Sequence, residues 1–203
     1  MGRVQSHCVR FETLASFSFP GYIAHILNAT DPFDRGHRER SLESIMDHPL
    51  SLELTMRPAR VADEAFLLEL RKNTMERYLE GAGEPIDEET HLRRIRSHFS
   101  DAKIICQADE RIGLIKTHLS STEWAISQLQ VVPALQGKGV GTEVIRRVIE
   151  QADRDSLPVT LCVLRNNPAI RLYERLGFRV VLQNDVELSL VRPCLAPARR
   201  RHA

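Results

Sequence analysis

A mixed α/β sheet with helices on both faces is predicted from three features of the chain. Short apolar runs recur from residue 52 onward, each bounded by Gly, Pro, Asn or Asp. Four other segments place apolar residues at helical spacing, and the strongest of them follows a strand through a glycine-rich turn. The resulting order is β-α-α-β-β-β-α-β-α-β-β. Strands and helices interleaved in this way cover a mixed sheet with helices.

The elements follow in order. Residues 52–57 alternate apolar and polar and read as a strand. Asp63 is placed to cap a helix running through Phe66, Leu67, Leu70, Thr74 and Tyr78, which Gly81-Ala82-Gly83-Glu84-Pro85 ends. Asp87 is placed to cap a second helix, with Leu92, Ile95 and Phe99 on one face. Strands at 103–108 and 111–119 flank Asp109-Glu110 as a hairpin, and Trp124–Val132 is a third apolar run ended by Pro133. Val140, Val144, Ile145, Val148, Ile149 and Ala152 form the stripe of a helix over 139–154. A strand at 159–164 precedes a short helix over 168–176, with Asn167 as cap and Gly177 as stop. Strands at 178–183 and 186–192 close as a hairpin around Asn184-Asp185.

Composition narrows the classes. The 203 residues fit one domain with an appendage, and no stretch approaches 18 consecutive apolar residues, so no membrane partner is expected. Lys+Arg 28 against Asp+Glu 27 gives a net charge of +1, without the basic excess of a nucleic-acid binder. Cys8, Cys106, Cys162 and Cys194 form no C-x-x-C pair and fit no metal site. Free thiols at that low count fit a reducing compartment, and a cytoplasmic location is expected.

The ends read differently from the body. Residues 1–50 hold aromatics without period, then a charge-dense run at 34–40, and are expected to form a disordered or loosely docked extension. Met1-Gly2-Arg3-Val4-Gln5-Ser6 fits a short myristoylation pattern, a faint transit-peptide flavour is present, and Met46 or Met56 is an alternative natural start. Residues 194–203 read as a solvated basic tail, which leaves 51–193 as the folded domain.

The chemistry is concentrated between Gln130 and Thr142. A strand enters the turn Gln136-Gly137-Lys138-Gly139-Val140-Gly141, and the turn opens an amphipathic helix. First-turn N–H groups lack intrahelical partners and sit at the positive end of the macrodipole. Glycines let that backbone approach a bulky anion, so the arrangement suits a phosphate or diphosphate. A Walker loop is absent. The Rossmann pattern would require glycine where Thr142 stands, and Asp153 and Asp155 fall at a helix end rather than a strand end.

Gln136-x-x-Gly139-x-Gly141 resembles the Q/R-x-x-G-x-G/A motif of the GNAT superfamily of N-acetyltransferases. The strand Leu129–Pro133 before it is similar as well. So is the downstream N-x-x-A-x-x-L-Y-x-x-x-G-F pattern running from Asn166 through Tyr173 to Phe178. The resemblance covers about residues 52–192 and implies a GNAT-like fold, acetyl-coenzyme A as cosubstrate, and direct acetyl transfer to an amine. It implies coenzyme contacts from Gln136, Gly137, Lys138, Gly139, Val140, Gly141 and Thr142, with Asn166 on the pantetheine arm and Arg171 with Arg175 near the phosphates. It also implies a backbone oxyanion donor at Val131.

Tyr173 is then the candidate acid for the departing sulfur, since a phenol of pKa near 10 can protonate a thiolate within reach. An acceptor amine of pKa about 10.4 is neutral in only about one molecule in 2,500 at pH 7, so a base or a water chain helps. Some family members carry glutamate where this chain has Ala125. Glu123 is the substitute candidate and His118 a weaker one. The connection Glu80–Glu89 holds five acids and no base, which suits a cationic small amine or peptide amine. A homodimer is left open. A non-catalytic acetyl-coenzyme A sensor and a Rossmann-type nucleotide domain are the competing readings.

Overall fold

The computed structural model describes residues 53–194, so the 1–50 extension, Cys8 and nearly all of the 194–203 tail lie outside the described residues. The first strand, β1 (Leu54–Pro58), leads through a 3-10 turn into helix α1 (Glu64–Gly81). Asp63 does not cap that helix with its side chain. Its carboxylate accepts two bonds from the Arg57 guanidinium (both 2.8 Å), one from the Arg60 N–H (2.8 Å) and one from Arg111 (3.3 Å). Two cations outcompete a neutral helix N–H for a buried carboxylate, because charge-assisted bonds are the stronger ones.

The guanidinium of Arg57 beside Asp63 holds its carboxyl well below the usual carboxylate range, against the opposing pull of burial. A carboxyl with a depressed folded pKa stabilises above its unfolded pKa, about 4, and that contribution is lost as pH falls toward the folded value. Asp63→Asn is expected to cost about 2 kcal/mol in urea unfolding at pH 7, and less at pH 3. An equal cost at both pH values would contradict the arrangement.

Helix α2 (Glu88–Arg96) begins as expected, with Asp87 accepting from the Thr90 N–H and Oγ1 (2.8 Å each). It stops before Phe99, which falls in a separate 3-10 turn after His98 enters the left-handed region (φ 48°). The stop has a tertiary cause. Lys116 donates from Nζ to the carbonyls of Arg94, Ile95 and Ser97 (3.2, 3.0 and 2.6 Å), closing the helix end from the sheet. Burial, then the Arg94 and Arg71 guanidiniums, push this ammonium down to about 8.

Strands β2 (Ala102–Gln107) and β3 (Glu110–Leu119) join through Ala108-Asp109, both at positive φ (46° and 67°). That is the backbone of a two-residue hairpin turn whose twist matches the strands, and it lies one residue earlier than the spacing suggests. The remaining elements are β4 (Trp124–Val131), α3 (Val140–Arg154), β5 (Val159–Leu164), α4 (Ile170–Arg175), β6 (Arg179–Gln183) and β7 (Glu187–Arg192).

They form one seven-stranded sheet in the order β1-β2-β3-β4-β5-β7-β6. Only β4 and β5 run parallel. Helices cover both faces. Ile105 and Ile115 pack with the full α3 stripe and with Tyr173 and Phe178 near α4. Their neighbours Ile104 and Leu114 point the other way, against Leu67 and Leu70 of α1 and Ile95 of α2. Each fully buried α3 side chain, such as Val144 or Ile145, contributes roughly 1.5–3 kcal/mol and fixes the start of that helix.

Candidate active site

The site is built where the parallel pair separates. β4 and β5 pair through Trp124–Val159, Ala125–Thr160 and Ile126–Leu161 only, although β4 continues to Val131 and β5 to Leu164. Val132 gives its N–H to Ile112 O on β3 (2.9 Å). Strand alternation therefore turns the Val131 N–H and C=O toward the β5 side, into the wedge between the two strands. The Val131 carbonyl there accepts from Gln136 Nε2 (3.0 Å). Gln136 thus locks the turn to the strand end, and its own N–H is taken by Pro133 O (3.2 Å). The expectation that this N–H joins the anion cradle is corrected by that bond.

From Gly137 onward the N–H groups are uncommitted. The first helical bond of α3 is Glu143 N–H to Gly139 O, and among the described residues no backbone acceptor meets good hydrogen-bond geometry with the N–H groups of Gly137 through Thr142. Gly139 is the N-cap in the left-handed region (φ 88°), which swings the turn outward with no side chain over it. A Cβ on Gly141 would stand 3.5 Å from Leu172 and 3.9 Å from Leu129, so α4 packs directly on the start of α3. Val140 is buried by its side chain while its N–H stays in the row. Thr142 is half-buried, and Lys138 is exposed at the tip. A run of donors at a helix N-terminus, with no side chain on Gly139 or Gly141, fits the diphosphate of a coenzyme A.

Tyr173 sits on α4 one residue beyond Leu172. Its ring is buried, edge-on to Phe178 at 5.8 Å. Arg171 lies on the same helix, exposed, with Arg175 one turn on. Asn167 Oδ1 accepts from the Ala169 N–H (2.9 Å), which starts the turn into α4. Asn166 Nδ2 donates to Tyr78 O (3.0 Å), tying the β5–α4 connection to the end of α1.

The two base candidates lie toward the start of β4. Glu123 precedes β4, so about 26 Å of strand separates it from Val131, taking eight residues at about 3.3 Å each. Burial pushes its carboxyl up, opposed by a Thr160 hydrogen bond and the charge of His118. His118 pairs with Ala125 at that same far end, with Nδ1 3.2 Å from Asp101. Of the five acids in the stretch Glu80–Glu89, Asp87 caps α2 and Glu88 binds Lys72 (2.8 Å). Glu84 is raised by burial and then by the charge of Glu187, a buried carboxylate on β7 opposite Leu164. The burial of Glu187 was not legible in the sequence, where it reads as an acid opening a strand.

The sequence model of the Acetyltransferase (GNAT) family matches residues 66–178, more than half of the 203. The chain belongs to this family of acetyltransferases. No curated protein sequence matches it. Solved structures share the fold at low identity. The ribosomal-protein-S18-alanine N-acetyltransferase of Escherichia coli is 18% identical, covering 72% of this chain and 97% of its own, with a TM-score of 0.55. The PaiA N-acetyltransferase of Thermoplasma acidophilum, in complex with coenzyme A, is 16% identical, covering 71% and 99%, with a TM-score of 0.56. An acetyltransferase from Thermus thermophilus is 22% identical, covering 69% and 96%, with a TM-score of 0.57. No described helix is long and apolar enough to cross a membrane.

Proposed function

We propose that the chain transfers an acetyl group from acetyl-coenzyme A directly to the amine of a small molecule or a peptide. The observation that carries this reading is the uncommitted N–H run of Gly137–Thr142, packed beside α4 at the mouth of the β4–β5 wedge. A structural neighbour solved with coenzyme A, and another named for an alanine N-acetyltransferase activity, support it.

The coenzyme supplies the acetyl group as a thioester. The chain's own groups divide the remaining work. The N–H groups of Gly137 through Thr142 hold the diphosphate, and Lys138 and Arg171 add charge near the phosphates from the exposed rim. Asn166 steadies the wedge against α1 and keeps its oxygen for the pantetheine arm. The Val131 N–H, aimed into the wedge, donates to the carbonyl oxygen as charge develops there. Tyr173 gives its phenolic proton to the departing sulfur. Glu84, over the buried Glu187, gives the acceptor side the negative field that draws a cationic amine.

Thiol release from acetyl-coenzyme A, measured with a panel of primary amines, tests the reading. Turnover on at least one amine is expected. Coenzyme binding with no turnover on any amine would favour the sensor reading instead.

A further inference from the structure

Beneath α1 and α2 the sheet carries polar side chains where a core is ordinarily apolar. Arg71 of α1, His91 of α2, Lys116 of β3, and Gln128 and Gln130 of β4 are each at most 7% exposed. Several buried atoms here meet no hydrogen-bond partner among the described residues. Among them are Nδ1 of His91 and Oε1 of Gln128 and of Gln130. Leaving a buried polar atom unmet costs about 1–3 kcal/mol, so atoms of this kind call for internal water.

These groups form a row with a direction. Gln130 adjoins Val131, and Gln128 lies about 7 Å back along the same face of β4. Gln128 faces Lys116 in the β3–β4 register, and its amide donates to Arg94 O (3.1 Å) on α2, one turn from His91. His91 Nε2 lies 3.4 Å from Oε1 of Glu76, whose side chain is 41% exposed on α1. The row therefore starts beside the wedge and ends at a carboxylate in contact with solvent. Glu123 and His118 lie at the opposite end of β4.

We propose that this row is the proton exit of the transfer reaction. The acceptor amine releases its proton at the Val131 end of β4 into water oriented by Gln130 and Gln128. The His91 imidazole accepts it at one nitrogen and releases it from the other toward Glu76 and solvent. The proposal rests on the acetyltransferase reading above. The protons balance without a co-reactant. An ammonium loses one proton to the row before attack. The nitrogen loses a second as the C–N bond forms, and that loss offsets the phenolic proton given to sulfur as the C–S bond breaks.

The groups facing His91 suit this role. Burial, then Arg71 and Lys72 of α1, hold the imidazole neutral, and Glu76 of α1 opposes them. Glu88 lies on its own helix, and Arg71 also acts on the Lys116 ammonium of β3. A neutral imidazole is the form able to take a proton.

The test compares the wild-type chain, His91→Gln and Glu76→Gln in thiol release from acetyl-coenzyme A, from about pH 5 to 9. The amines are spermidine, lysine methyl ester and an alanyl tetrapeptide, and coenzyme A affinity is measured alongside. His91→Gln is expected to lower kcat/KM roughly 10²-fold and to remove the acidic limb of its pH profile, with coenzyme affinity unchanged. Glu76→Gln removes the charge that favours the imidazolium, so its acidic limb should move to lower pH. Should His91→Gln lose coenzyme binding through misfolding, the Glu76→Gln shift decides alone. Wild-type turnover with both profiles unmoved would overturn the relay and leave the acetyltransferase reading standing. A wild-type chain that binds coenzyme A and acetylates none of the amines would remove that reading and the relay with it.

Discussion

A Gly139→Glu chain is expected to lose more than roughly 10²-fold in coenzyme A affinity while remaining folded. Two effects add. Gly139 holds φ at 88°, and a residue with a Cβ is disfavoured in the left-handed region by about 1–2 kcal/mol. The new carboxylate also stands at the mouth of a donor run that faces a diphosphate. Like charges near 4 Å repel by about 4 kcal/mol at the effective dielectric of a protein surface. A sum above about 3 kcal/mol exceeds a hundredfold change in Kd. Gly139→Ala separates the contributions, because it carries the backbone cost alone and should lose about tenfold. Calorimetric titration with coenzyme A reads both variants. If the glutamate variant binds as the wild type does, the diphosphate does not sit at this turn.

Tyr173→Phe is expected to lower turnover roughly 10²–10⁴-fold with coenzyme affinity nearly intact. The ring is the structural part of this residue. It is buried, meets Phe178 edge-on and belongs to the main core, and phenylalanine keeps all of that. Only the hydroxyl is removed, so a loss in kcat without a loss of binding isolates proton donation to the leaving sulfur. The comparison needs an amine that the wild-type chain acetylates. Turnover of the variant within about threefold of wild type would leave Tyr173 as a packing residue and return the acid to another group or to water.

How far these residues could be read in advance depended on whether their partners are local. The α3 stripe, the Asn167 turn and the Asp87 cap rest on neighbours within a few positions, and the structure places them as the spacing suggests. The donors of Gly139 through Thr142 are of the same kind, since helix geometry alone orphans them. Asp63 looked equally local as a cap. Its carboxylate went instead to Arg57 and to Arg111, 48 residues away. Leu92 and Phe99 were expected on one face of α2 with Ile95; Phe99 packs on the Ile95 cluster from beyond the helix end, and His91 is the fully buried residue beside Ile95. The burial of His91 depends on α1 packing across it. Glu123 is a different case. Side-chain alternation gave it an acceptable face, but alternation says nothing about which end of a strand a residue occupies. Glu123 stands at the start of β4, and the β4–β5 pairing ends at Ile126, so the strands separate toward Val131.

The central claim is that the N–H groups of Gly137 through Thr142 receive the coenzyme's diphosphate. Amide proton–nitrogen NMR of the isotopically labelled chain, titrated with coenzyme A, addresses those groups one by one. The account predicts saturable downfield shifts concentrated on these six amides, with slowed exchange of their protons against solvent. Saturable binding that leaves all six resonances in place and moves amides elsewhere would contradict it.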